Sequence, residues 1–158
     1  MTPIGAIEAS AIGVAMRESP WLFPAIEALH VSGITLLVGS IAILDLRLLG
    51  LSRSLSVRTL AGRVLPWSIG SFTLIVPSGL AMFVAHAGDL ISSPVFALKM
   101  TLILLAGTNA GVFHAGVFRG AALWDVNAMP PMAARAAAAA SLLLWASVIA
   151  CGLRLAAS

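Results

Sequence analysis

Charge is what this sequence has least of. Asp, Glu, Lys and Arg make up 9% of its 158 residues, against about a quarter in a typical soluble domain. That is too little polar side chain to cover a surface facing water. Cysteine is nearly missing as well. The lone Cys151 excludes an internal disulfide, a thiolate zinc cluster and a covalent c-type haem attachment. No GxxxxGK[ST], HExxH or GxSxG string occurs, so the phosphate-loop, zincin and nucleophile-elbow chemistries have no foothold. Nine Lys+Arg against six Asp+Glu give a net charge of +3. The isoelectric point of about 10.5 therefore reflects scarce acids rather than a dense basic patch, and nucleic-acid binding is not indicated.

What the chain does have is hydrocarbon. Sixty per cent of the residues are apolar and the mean hydropathy is +1.05, values that belong in a bilayer. A helix needs about 20 apolar residues to cross roughly 30 Å of hydrocarbon. Four stretches qualify, at about 21–49, 64–87, 94–118 and 135–157. Prolines stand near their starts, where a helix tolerates them. The fold class expected is an all-α membrane protein, a four-transmembrane-helix bundle with a short N-terminal interfacial helix. Residues 1–20 form that interfacial segment and 21–158 the single transmembrane domain. The segment lacks the positive start of a signal peptide, and Glu8 interrupts its apolar run. Ile4, Ile7, Ala11 and Val14 recur at helical spacing on one face.

Orientation follows from the cations. Arg47, Arg53, Arg58 and Arg63 flank the first connection, and Arg119 and Arg135 the third, against Arg17, Lys99 and Arg154 on the opposite side. The positive-inside rule then puts the first and third connections in the cytoplasm and both termini in the periplasm, in a bacterial inner membrane. Trp21 and Phe23 outside, with Trp67 and Trp124 inside, read as aromatic belts. Glycines recur along the spans: Gly33 and Gly39, Gly70 and Gly79, and a GxxxG at Gly107 and Gly111. They permit close helix packing, or leave room for a flat cofactor or lipid. Pro77, in mid-span, leaves the Thr73 carbonyl without its usual N–H and is expected to bend the second helix.

Ionisable residues inside spans are costly and each needs a reason. A rise of about 1.5 Å per residue sorts them into two layers. Glu27 and His30 lie about 9 and 13 Å below the outer end of the first span, Lys99 about 8 Å below that of the third, and His86 at the outer end of the second. Asp45 and His114 lie about 6 Å above the inner ends of the first and third spans, with Asn109 about 8 Å further up. Arg47 rims this inner layer. Glu27–Lys99 as an ion pair and Asp45–His114 as a hydrogen bond are the expected contacts. All six of Glu27, Lys99, Asp45, Arg47, Asn109 and His114 can be read simply as polar layers holding the helices in register. Arg47 can also be read as a helix-end residue snorkelling to lipid phosphates. His30 and His114 differ by about 20 Å in depth, too far for one haem. His30 with His86 is the histidine pair left to hold a haem, and Glu27 with His30 at i, i+3 could offer metal ligands on one helix face. His86, near the interface, can equally be merely solvated.

The strings WLFPAIEALHVSG, GSIAILDLRLLG, LPWSIGSF, FALKM and NAGVFH resemble a bacterial family of small four-helix integral membrane proteins known only as a domain of unknown function. The resemblance covers about residues 20–120 and implies a membrane bundle with no assigned activity. Glu27, His30, Asp45, Arg47, Lys99, Asn109 and His114 fall at its motif positions, and His86 does not. More distantly, the architecture is similar to copper-resistance membrane proteins of the D type and to small b-type membrane cytochromes.

Three functions compete. The first is an accessory or structural subunit of a larger, redox-linked membrane complex, partnered by other membrane subunits or by copies of itself. The second is an electron-transfer protein holding haem b or copper through His30. The third is a small ion- or proton-linked transporter using Glu27, His30 and Lys99. An independent enzyme is disfavoured, because no nucleophile and base share one depth.

Overall fold

The structure, a computed structural model, describes residues 2–157. Two short helices, α1 (Pro3–Glu8) and α2 (Ala11–Glu18), precede α3 (Leu22–Leu48) and α4 (Val57–Ala85). A one-and-a-half-turn helix, α5 (Ala87–Ser92), leads into α6 (Pro94–Ala115), and a 3₁₀ segment, Val117–Leu123, connects onward to α7 (Met132–Ala156). The protein is thus all-helical among the described residues. α3, α4, α6 and α7 are long and apolar enough to cross a membrane.

Local chemistry sets the ends. Ser56 caps α4, its hydroxyl accepting from the Thr59 N–H at 3.0 Å. Ser93 caps α6, with Pro94 at the first helical position, where its missing N–H costs nothing. The Ser56 cap starts the second span at Val57 rather than near residue 64, so Arg58 and Arg63 ride on the helix. Gly50, at φ +106°, turns the chain out of α3. The N-terminal segment is two capped helices rather than one: Thr2 caps α1 and Ser10 caps α2. They are tied down by Arg17, which donates to the Ala85 carbonyl at 2.9 Å and the Glu8 carbonyl at 2.8 Å. Glu8 in turn accepts from the Gly88 N–H at 2.8 Å. The acid that interrupts the apolar run is the anchor of the segment.

The long helices pack in the order α4–α3–α7–α6. α3 lies along α4 and touches α7, and α7 lies along α6; the backbones of α3 and α6 stay apart. Between α4 and α6 the backbones stay apart, and Phe83 stacks on Phe96 at 5.9 Å across the gap. The main core lies at the arginine-rich end, where Leu44, Leu48, Val57, Phe113, Trp124 and Ala134 pack together. Trp124 belongs to this core and is 9% exposed, so it is not an interfacial belt residue. Trp21 and Trp67 are exposed. α4 runs unbroken through Pro66 and Pro77.

Candidate functional site

The best-organised polar site in the apolar region lies on the α3–α4 seam. Pro77 has no N–H to give, and one residue later the Ser78 hydroxyl turns back to the Leu74 carbonyl. His30 of α3 meets this stretch, its Nδ1 lying 2.9 Å from Ser78 Oγ and 3.1 Å from the Ile75 carbonyl. A carbonyl only accepts, so Nδ1 carries the proton. The neutral ring therefore keeps its lone pair on Nε2, which makes no hydrogen bond among the described residues. Gly79 creates the space: a Cβ there would stand 3.0 Å from His30 Cε1. Gly33, one turn further along α3, lets the two helices close, since its Cβ would meet Ile75 Cγ1 at 2.8 Å.

The other outer-layer residues do not complete a cluster around His30. Glu27 is half-buried one turn above it. Lys99 turns to α7, its Nζ 3.7 Å from the Cβ position of Gly152. Because Lys99 turns to α7 and the backbones of α3 and α6 stay apart, the expected Glu27–Lys99 ion pair is not made. His86 is exposed at the α4–α5 junction, where Phe23 meets its ring edge-on at 5.4 Å. The Phe23–His86 and His30–Gly79 contacts are seven residues apart on both helices, so the two histidines stand about 10 Å apart along the seam. Among the described residues no three His, Cys, Asp or Glu side chains gather as a metal cluster would.

The inner layer also differs from its expected pairing. Asp45 is 5% exposed and faces Ser141 of α7, while its Oδ2 has no hydrogen-bond partner. His114 lies away from it, its ring against Phe113 and Phe118 at 5.2 and 5.1 Å. The expected Asp45–His114 bond is not made, since Asp45 turns to Ser141 of α7 and His114 to Phe113 and Phe118. Asn109 joins α6 to α7 by donating to the Ala137 carbonyl at 2.9 Å. Arg47 does not snorkel. It is 1% exposed and donates from Nε to the Leu55 carbonyl at 2.8 Å. Its Nη2 donates to the carbonyls of Arg53 at 3.2 Å and Asp125 at 3.0 Å.

Asp125, which the sequence reading passed over, closes this end. Its carboxylate accepts from Ser56 Oγ at 2.9 Å and from the Arg58 N–H at 2.8 Å. The Arg58 N–H holds it below the usual carboxylate range, aided by Ser56 and the Arg58 charge. The signal was present in the sequence: Asp125 is the one acid in the longest connection. Ser78 and Gly79 carried a weaker signal, a small polar pair directly after a mid-span proline.

With four apolar spans and this geometry in place, the comparison with known families is decisive. Residues 8–158 match the family described as a family of unknown function, DUF6644. The chain belongs to DUF6644. No curated protein and no solved structure matches it. The match takes in α7, which the sequence motifs had not covered. Within this DUF6644 chain, His30, Asp45, Arg47 and Asn109 each engage a neighbouring helix or loop. The distant likeness to copper-resistance proteins of the D type is not among the matches.

Proposed function

We propose that the chain is an accessory subunit of a larger, redox-linked assembly in a bacterial inner membrane, with its arginine-rich face cytoplasmic and both termini periplasmic. The observation that carries this reading is the GxxxG of α6. A Cβ added at Gly107 or at Gly111 meets nothing within 4 Å, and only Ala106 and Phe113 of α6 are buried. The motif that brings helices together in lipid is thus not used inside the chain. It is left for another helix, from a different subunit or from a second copy. The test is size in mild detergent after extraction from native membranes. Wild type should migrate above one chain plus micelle. Gly107→Ile with Gly111→Ile should return it to the monomer with unchanged helicity, because the added Cβ has open space at both positions. A monomeric wild type that also fails to cross-link in intact membranes refutes the reading.

A second reading has its own observation, the fixed tautomer of His30. Histidine ligands are commonly oriented by a hydrogen bond from the other ring nitrogen, and His30 has that bond with Nε2 open. In this reading Nε2 holds haem b or copper, with Glu27 on the same face. Protein from native membranes should then show a haem band or bound copper that His30→Ala abolishes and Ser78→Ala shifts. A colourless, metal-free sample carrying intact partners eliminates it.

A further inference from the structure

We propose that the groove between the start of α4 and the end of α6 binds the phosphate-bearing headgroup of an anionic phospholipid. The groove exists because α4 and α6 are not packed backbone to backbone. It has a volume of about 490 Å³ and opens at the arginine-rich end of the bundle. Its mouth carries three groups suited to a phosphate: the Arg58 guanidinium, the Thr59 hydroxyl and the His114 ring. None of these side chains makes a hydrogen bond among the described residues.

Deeper, the lining becomes apolar. Leu65 lies seven residues beyond Arg58 on α4, about 10 Å further into the membrane, and lines the same groove, while Phe118 lies against the His114 ring. Gly62 lies between these levels, and a Cβ added there meets nothing within 4 Å. A polar mouth at headgroup level above an apolar, laterally open floor has the shape of a lipid: phosphate at Arg58, acyl chain past Gly62. A free phosphate would leave the floor bare.

Asp125 also lines the groove, and its charge must be set against the arginines. Its oxygens are occupied in capping α4 through Ser56 and the Arg58 N–H. The α4 N-terminus is therefore already satisfied and does not supply the attraction. Arg58 lies beside this carboxylate and Arg47 donates to the Asp125 carbonyl, so the local balance is positive. Basic pockets between spans at such a face suit anionic headgroups.

The test uses the full chain in mild detergent and native mass spectrometry with phosphatidylglycerol or phosphatidylcholine added. Phosphatidylglycerol should be retained in preference, and Arg58→Gln should weaken its retention about fivefold. Arg63→Gln removes the same charge from the same helix outside the groove and should leave retention unchanged. Gly62→Leu, which removes no charge and whose Cβ meets nothing within 4 Å, should fill the groove and weaken retention as much as Arg58→Gln. Equal retention of the two lipids overturns the proposal, as does an equal effect of Arg58→Gln and Arg63→Gln. Displacement of phosphatidylglycerol by millimolar inorganic phosphate would reveal a small-anion site and overturn it too.

Discussion

Arg47→Met should destabilise the protein by about 3 to 5 kcal/mol and open its arginine-rich end. Methionine keeps most of the side-chain bulk, so the loss is not one of volume. It is the loss of one buried cation that holds the carbonyls of Arg53, Leu55 and Asp125 together. Those carbonyls belong to two separate connections, 49–56 and 124–131, which are joined further by Val57 N–H to Asp125 and Asn127 N–H to Arg53. Each charge-assisted bond contributes about 1.5 to 3 kcal/mol. Burying the guanidinium, with Nη1 left unpartnered, takes several kcal/mol back. The balance still favours arginine, because methionine would strand the Leu55 carbonyl and take one of the two bonds from each of the Arg53 and Asp125 carbonyls, beside a core that includes Leu48 and Val57. Thermal unfolding in detergent should show the drop. Limited proteolysis should cut first in the two connections, and a variant with wild-type stability and protease resistance would show that the loops hold without Arg47.

Arg47 also shows what could be read in the sequence and what could not. Its place in the last turn of the first span followed from counting residues, as did the depths of Glu27, His30, Asp45 and His114. Hydropathy reports contact with lipid, and each span is long enough to report it strongly, so the four spans were legible to within about a turn, except at the start of the second. Counting gives depth along a helix axis but not which helices are neighbours. Glu27 and Lys99 share a level, as do Asp45 and His114, yet both expected pairs join α3 to α6, whose backbones stay apart. The start of α4 was misplaced because the cap that decides it depends on Asp125, almost 70 residues away in sequence. Glycine was equally ambiguous. Gly33 lies at the tightest point of the α3–α4 seam, whereas Gly39, on the same helix, has open space around it.

That contrast gives the sharpest test of the His30 site. Gly33→Val should destabilise the bundle by about 3 kcal/mol, at the upper end of the cost of overpacking. Its Cβ alone would lie 2.8 Å from Ile75 Cγ1, 3.1 Å from Leu74 Cβ and 3.4 Å from the Ile75 backbone nitrogen. The Ile75 side chain can rotate away, but Leu74 Cβ and the Ile75 nitrogen move only with α4 itself. The helices must part, and they part where His30 Nδ1 reaches Ile75 and Ser78. An increase of a few tenths of an ångström at 3.1 Å removes the Ile75 bond, and with it the constraint that fixes the ring tautomer. Gly39→Ala is the matched control. It adds a methyl group to open space and should stabilise α3 by about 0.5 to 1 kcal/mol, since alanine loses less backbone freedom than glycine. The measurement is thermal stability of both variants in one detergent, with the His30 ring nitrogens followed by NMR. Opposite signs of stability change, with the imidazole signal altered only by Gly33→Val, mean that the seam holds His30 in place. If both variants behave alike, the close approach at Gly33 is not what sets the α3–α4 distance, and the orientation of His30 must come from Ser78 alone.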